Sequence, residues 1–133
     1  MVKKKACIFI SGKGSNLKNL IKNSRSNTFP VNISLVVTNN KNAPGLLLAK
    51  KNAIPYLIIN TNNRAYETIL LKKVQKYNIS IICLAGYMKI IPKDYLYKFR
   101  KKIINIHPSL LPKFKGLNTY ERVLKNKESK TGC

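Results

Sequence analysis

The sequence predicts a mostly parallel, doubly wound α/β sheet with helices on both faces. Apolar segments of strand length alternate along the chain with segments of helical spacing, an order that is typical of parallel sheets. The apolar segments are nearly continuous, as expected for strands that are covered on both faces. The length of 133 residues and the hydrophobic content of 44% fit one domain with a buried core, which we assign to residues 1–133.

In the first half of the chain, polar or glycine-rich segments end the predicted strands. The first strand stops at a segment with two glycines, and the following helix has Leu17, Leu20 and Ile21 on one face. The second strand stops at a pair of asparagines, and the next helix begins with Pro44, which the first turn of a helix tolerates. The predicted elements are strand 5–10, helix 17–24, strand 31–38, helix 44–51 and strand 56–59.

In the second half, Ile69, Leu70 and Val74 predict a helix by their spacing, and a continuous apolar strand stops at Gly86. A short helix opens with Pro92, and the last helix is predicted to have Asn118 as its capping residue. The predicted elements are helix 64–77, strand 80–85, helix 92–99, strand 103–107 and helix 118–126, with a loop over 108–116.

The charge balance is strongly basic. Lys and Arg total 26 against four acids, which gives a net charge of +22, and all but four of the basic residues are lysines spread along the chain. Base recognition favours arginine, and single-strand binding favours aromatics interleaved with basic residues. A nucleic acid is therefore not an expected partner, whereas small phosphorylated or polycarboxylate molecules would be attracted.

The remaining composition argues against several other classes of protein. Three cysteines without a C-x-x-C pair, one histidine and four scattered acids predict neither a disulfide framework, nor a metal site, nor hydrolysis by two carboxylates. No apolar run reaches the roughly 18 residues of a membrane span. With no export signal recognised in the sequence, we expect a cytoplasmic protein that does not enter a membrane.

A glycine-rich segment, S-G-K-G-S-N at 11–16, follows the first predicted strand. We call it the glycine loop. Glycine lets the backbone approach a ligand closely, and the free N–H groups at a helix start attract an anion. The segment matches neither a Walker loop, which needs G-K-[ST], nor a dinucleotide fingerprint, because position 17 is leucine. A monophosphate ester is the predicted ligand, and a tight turn capped by Ser15 or Asn16 is the alternative.

Asn105 and His107 lie two residues apart at the end of the fifth predicted strand, so their side chains are expected to project from one face. Imidazole suits proton transfer near neutral pH, and an asparagine amide can donate to a developing oxyanion. The alternative is a histidine that hydrogen-bonds loop backbone. Catalysis is the preferred interpretation, because parallel sheets bind ligands outside the carboxyl ends of their strands.

Three segments together resemble the glycinamide ribonucleotide formyltransferase family. They are the glycine loop, L-A-G-Y-M-K-I at 84–90 and N-I-H-P-S-L-L-P at 105–112. The last motif is shared by the wider group that uses formyltetrahydrofolate, whereas the first differs from those of methionyl-tRNA formyltransferases and deformylases. The resemblance implies a Rossmann-like fold and formyl transfer from 10-formyltetrahydrofolate to the amine of glycinamide ribonucleotide, in purine biosynthesis.

The resemblance also implies roles for individual residues. The phosphate of glycinamide ribonucleotide is expected to contact Gly14, Ser15 and Asn16. The folate is expected to contact Arg64, Met88, Lys89, Ile90, Ile91 and Asn105. Asn105 would also polarise the formyl oxygen, His107 would move protons, and no metal is implied.

Members of the family continue beyond the position that matches residue 133, with two further strands and an aspartate that pairs with the catalytic histidine. We therefore expect this chain to be an amino-terminal portion without the C-terminal strands, and we expect an apolar sheet edge to be exposed. Two alternatives stay open. One is a catalytically inactive remnant that only binds a sugar phosphate, and the other is a fragment similar to methionyl-tRNA formyltransferase.

Overall fold

The computed structural model describes residues 2–133. Its strands form one parallel sheet in the order β3-β2-β1-β4-β5. Strands and helices alternate along the chain. The elements are β1 (Lys4–Ile10), α1 (Ser15–Ser24), β2 (Val31–Thr38), α2 (Leu46–Lys51), β3 (Tyr56–Ile58), α3 (Ala65–Lys76), β4 (Ile81–Leu84), α4 (Lys93–Phe99), β5 (Lys102–Asn105) and α5 (Thr119–Lys125).

Helices cover both faces of the sheet, as the sequence predicts. On one face, Leu70 of α3 and Tyr95 of α4 pack with Phe9 of the central strand. On the other face, Leu17 of α1 and Ala49 of α2 pack against alternate residues of the same strand. Because β1 lies between these two cores, its last five residues are at most 1% exposed, which explains the continuous apolar run in the sequence.

Every element boundary falls within two residues of its predicted position, but the fifth strand ends before His107. Leu84 is the last residue of β4, and it pairs with Asn105, the last residue of β5. Beyond this pair β5 has no neighbouring strand, so the ladder of hydrogen bonds stops there. The prediction that the strand extends to His107 is therefore wrong, and His107 lies in the loop that follows.

The predicted capping of α5 by Asn118 is also wrong. Asn118 occupies the N-cap position, but its backbone is left-handed, with φ 54° and ψ 39°, and its side chain makes no capping hydrogen bond. Asparagine is one of the few residues that tolerate this conformation. The hydroxyl of Thr119 instead donates to the carbonyl of Gly116 at 3.2 Å.

The outer margin of the sheet at β5 is apolar and exposed, as expected. The side chains of Ile104 and Ile106 are 51% and 62% exposed, and Leu110 and Leu111 in the following loop are exposed as well. Within residues 2–133, no helix has the length and apolar character needed to cross a bilayer.

Candidate active site at the carboxyl edge of the sheet

The glycine loop and Asn105 lie at the same edge of the sheet. Phe9 of β1 pairs with Leu84 of β4, and Leu84 pairs with Asn105 of β5. The ends of β1 and β5 are therefore two strand spacings apart, about 10 Å. The fold thus brings together two motifs that are separated by some ninety residues of sequence.

Gly14 is required by the local backbone geometry. It has a left-handed conformation, with φ 76° and ψ 33°. A Cβ atom at this position would lie 3.1 Å from the Cα of Gly45 and 3.3 Å from the Cδ1 of Leu48. The N–H of Gly45 donates to the carbonyl of Gly12 at 3.0 Å. The start of α1 and the start of α2 therefore touch through their backbones, a contact that only glycines permit.

The N-terminal end of α1 is open to an anion. The first hydrogen bond of the helix runs from the N–H of Lys18 to the carbonyl of Gly14 at 2.8 Å. Among residues 2–133, the N–H groups of Ser15, Asn16 and Leu17 have no acceptor. The first turn contains no acidic residue. No side chain caps this helix, so the alternative of a turn capped by Ser15 or Asn16 is wrong. Free N–H groups and the positive end of the helix dipole favour an anion here.

Ser11 joins the three loops that form the centre of this edge. Its hydroxyl donates to the Oδ1 of Asn39 at 2.5 Å and accepts from the N–H of Met88 at 2.8 Å. Its N–H donates to the carbonyl of Gly86 at 3.2 Å, and its carbonyl accepts from the Nδ2 of Asn40 at 3.1 Å. Ser11 belongs to the glycine loop, but no separate role is predicted for it from the sequence. The only signal for it was its position at the end of the central strand, beside an asparagine pair that ends the neighbouring strand.

The segment 88–91 presents apolar side chains to solvent beside the glycine loop. Met88 and Ile90 are 63% and 74% exposed, which is unusual for side chains of this size. Tyr87 anchors the segment, because its ring packs edge-on against Phe9 with a centroid distance of 5.2 Å. Burial, and to a smaller degree the nearby Tyr66, raise the pKa of Tyr87 to about 12. Its phenol is therefore neutral at physiological pH.

Arg64 lies at the N-cap position of α3, on the carboxyl side of the sheet. Its side chain is 84% exposed, and its Nε lies 4.0 Å from the Oε1 of Glu67, a buried carboxylate one turn along the helix. None of the hydrogen bonds in residues 2–133 connects Arg64 to the segment 88–91. Arg64 therefore lies at the same edge of the sheet as the glycine loop, with its guanidinium directed toward Glu67.

His107 is half-buried, and its Nε2 lies 2.9 Å from the carbonyl oxygen of Phe114. The alternative reading, a histidine that hydrogen-bonds loop backbone, is thus correct as a description of the contact. A carbonyl oxygen can only accept, so Nε2 is the donor in this hydrogen bond. In a neutral ring with its hydrogen on Nε2, the lone pair lies on Nδ1. Asn105 is exposed at the end of β5.

Neither of the two cysteines within strands is placed to act as a nucleophile. Cys7 lies in the core on one face of the sheet, and Cys83 packs against the core on the other. Burial raises the pKa of both thiols, so the reactive thiolate is disfavoured. In the part of the chain that the structure describes, no three His, Cys, Asp or Glu side chains are grouped to hold a metal ion.

Residues 4–133 match the protein family described as formyl transferase. The phosphoribosylglycinamide formyltransferase of Haemophilus influenzae is 38% identical over 133 residues, which cover 97% of this chain and 63% of that protein. The trifunctional purine biosynthetic protein adenosine-3 of Bos taurus is 38% identical over 135 residues, which cover 98% of this chain and 13% of that protein. The chain therefore spans less than two thirds of the length of these relatives.

A solved structure of a relative also superimposes on this chain. The phosphoribosylglycinamide formyltransferase of Anaplasma phagocytophilum superimposes with a TM-score of 0.83 and 40% identity, over 94% of this chain and 59% of that one. The family match over residues 4–133 and the structural superposition agree. The chain therefore belongs to the formyl transferase family.

Proposed function

We propose that this chain forms the site at which a formyl group passes from 10-formyltetrahydrofolate to the amine of glycinamide ribonucleotide, a step in purine biosynthesis. The main support is that the glycine loop and His107 follow the carboxyl ends of β1 and β5, two strands that are two spacings, about 10 Å, apart in the sheet. The names of its relatives agree with this assignment.

The phosphate of glycinamide ribonucleotide binds at the start of α1 in this proposal. The unpaired N–H groups of Ser15 and Asn16 face the anion, and the left-handed turn at Gly14 exposes them. The net charge of +22 raises the local concentration of such an anionic substrate.

The folate binds along the segment 88–91. The exposed side chains of Met88 and Ile90 provide an apolar surface for its flat ring system, and Ile91 is half-buried behind them. The carboxylates at the other end of the cosubstrate attract cations, for which Lys89 and Arg64 are the candidates at this edge.

The reaction needs no change of oxidation state. The amine nitrogen attacks the formyl carbon, and the side-chain amide of Asn105 donates to the oxygen as negative charge develops there. The Nδ1 of His107 accepts the proton that the amine loses. The tetrahedral intermediate then collapses, the bond from carbon to the folate nitrogen breaks, and that nitrogen receives a proton. One carbon–nitrogen bond forms, one breaks, and the proton count is unchanged.

Calorimetric titration with glycinamide ribonucleotide and with the same molecule lacking its phosphate tests the substrate assignment. We expect the phosphate to tighten binding by at least about tenfold, the effect of roughly one charge-assisted contact. Asn16→Asp should weaken ribonucleotide binding by at least as much, because a carboxylate at the helix start repels the phosphate. Asn19→Asp makes the same charge change one turn further along α1 and serves as the matched control.

Turnover of 10-formyltetrahydrofolate with the ribonucleotide tests the activity. Production of the formylated ribonucleotide supports the proposal. Binding with no product would support the inactive remnant, and equal affinity for both forms of the ribonucleotide would contradict the phosphate assignment.

A further inference from the structure

The segment 113–117, which we call the carbonyl loop, is held almost entirely by side chains. It has no regular secondary structure, yet each of its carbonyl oxygens accepts a hydrogen bond from a side chain. The pairs are Ser109 Oγ to Lys113 at 2.7 Å, His107 Nε2 to Phe114 at 2.9 Å, Arg122 Nη1 to Lys115, Thr119 Oγ1 to Gly116 at 3.2 Å, and Arg122 Nη1 to Leu117 at 3.5 Å.

The backbone of the carbonyl loop is strained. Phe114 has φ 54°, a left-handed conformation that is unfavourable for a bulky residue. Gly116 and Asn118 also have positive φ values, of 87° and 54°. Such a backbone persists only where its surroundings hold it in place. The hydrogen bonds from side chains are therefore among the contacts that hold this backbone in place.

Arg122 makes the largest number of contacts to the carbonyl loop. Its Nη1 donates to two of the carbonyl oxygens, and the centre of its guanidinium lies 5.7 Å from the centroid of the Phe114 ring. It projects from α5, whose Val123 is buried, so its own backbone is fixed. A lysine could not reproduce this arrangement, because it lacks the planar group that both stacks and donates.

From these contacts we infer that Arg122 is a positioning residue for His107. Arg122 holds the backbone on the C-terminal side of Phe114 and stacks on its ring, and so keeps the Phe114 carbonyl directed at the Nε2 of His107. The hydrogen bond at one ring nitrogen sets which nitrogen carries the proton. The carbonyl loop thus fixes the Nε2–H form of His107 and leaves Nδ1, which has no hydrogen-bond partner among residues 2–133, able to accept a proton. The use of that Nδ1 in catalysis rests on the proposed function, but the arrangement of the ring does not.

The ring can be observed directly, because the chain contains one histidine. In protein labelled with ¹⁵N in the histidine ring, NMR spectra of the ring nitrogens at alkaline pH report His107 alone. We expect a resolved Nε2–H proton that exchanges slowly with water, and an Nδ1 without hydrogen. A parent spectrum with the hydrogen on Nδ1, or with an Nε2–H that exchanges as fast as in a free histidine peptide, would overturn the inference without any variant.

Arg122→Met keeps an unbranched side chain and removes the donors. We expect exchange of the Nε2–H proton to become about tenfold faster, the change that corresponds to loss of about one hydrogen bond. Arg25→Met is the matched control, because the Nη2 of Arg25 donates to the Oδ1 of Asn52, and no hydrogen bond within residues 2–133 joins Arg25 to the carbonyl loop. A purely structural role of Arg122 would lower the melting temperature and leave the ring signals of the folded protein unchanged, which would contradict the inference.

Arg122→Lys provides a second variant in case the methionine variant does not fold. It keeps the charge, and we expect the same faster exchange, so a fully protected proton in this variant would also contradict the inference. The NMR result for His107 does not depend on whether the protein catalyses formyl transfer. If the ring behaves as expected and no formyl transfer is found, the proposed function fails and the assignment of Arg122 stands.

Discussion

The two halves of the candidate site are held in different ways. The glycine loop is fixed by backbone contacts, in which Gly14 touches Gly45 and the carbonyl of Gly12 accepts from the N–H of Gly45. The carbonyl loop is fixed by side chains that donate to its backbone, and it follows an edge strand with one neighbour. The first region therefore tolerates few changes at Gly14 and Gly45. The second depends on several polar side chains that can be replaced one at a time.

The largest expected effect belongs to the histidine side of this comparison. His107→Ala should reduce formyl transfer by about 10²–10⁴-fold, because it removes the proposed proton acceptor. Binding of glycinamide ribonucleotide at the glycine loop should be unchanged, since the phosphate site does not include this ring. Steady-state kinetics and calorimetry measure the two effects separately. A variant as active as the parent would refute the role assigned to His107.

The next effect concerns the backbone contact of the glycine loop. Gly14→Ala should lower the free energy of unfolding by about 2 kcal/mol, because alanine at φ 76° is strained and its Cβ would lie 3.1 Å from the Cα of Gly45. Gly12→Ala is the matched control, because no atom lies within 4 Å of a Cβ at that position. Its effect should stay below about 0.5 kcal/mol. Urea denaturation measures the free energy of unfolding of both variants. Equal losses in the two would show that the contact between Gly14 and Gly45 does not stabilise the fold.

Ser11 tests whether the glycine loop also depends on a side chain. Ser11→Ala removes the hydroxyl that accepts from Met88 and donates to Asn39, so the free energy of unfolding should fall by about 1 kcal/mol. Ser129→Ala, at an exposed position, should cause almost no change. Amide hydrogen exchange at Met88 should become faster in the Ser11 variant only. Unchanged exchange there would mean that the hydroxyl does not hold the loop.

The smallest expected effect is a pH dependence. The pKa of Tyr87 is raised from about 10 to about 12, chiefly by burial. The unfolded chain therefore loses this proton at a lower pH than the folded chain. The contribution of the neutral Tyr87 phenol to the free energy of unfolding is fully present below pH 10 and is lost as the pH rises toward 12. Tyr87→Phe should show a smaller loss of stability over that range than the parent, and Tyr97→Phe, which alters an exposed ring, should match the parent. If the free energy of unfolding fell equally with pH in all three proteins, the raised pKa of Tyr87 would be contradicted.

The fold could be predicted because its signals are local. Buried segments have characteristic patterns of apolar residues. The continuous apolar run of β1 and the spacing of Leu17 and Ile21 in α1 can each be recognised within the segment itself. Gly14 could be found for the same reason, since its conformation restricts which residue can occupy it. The end of β5 could not be predicted from its own residues, because it is set by the point at which β4 ends.

The contacts that position His107 had no such signal. Arg122 and Phe114 approach each other because α5 folds back along the loop, and an exposed arginine on a helix is normally a solvated residue. Ser11 was likewise hidden, because its partners Asn39 and Met88 come from distant parts of the chain. Hydrogen bonds made by side chains to other segments depend on the completed fold. They cannot be predicted from the residues of one segment alone.

The contact between Gly14 and Gly45 has a consequence for affinity. Since the start of α1 is locked against the start of α2 before any ligand arrives, the N–H groups that we propose as phosphate ligands are already in place. Binding there requires little ordering of the chain, so most of the attraction to a phosphate is available as affinity. A preorganised anion site of this kind should be occupied at ligand concentrations that a flexible loop of the same composition would not capture.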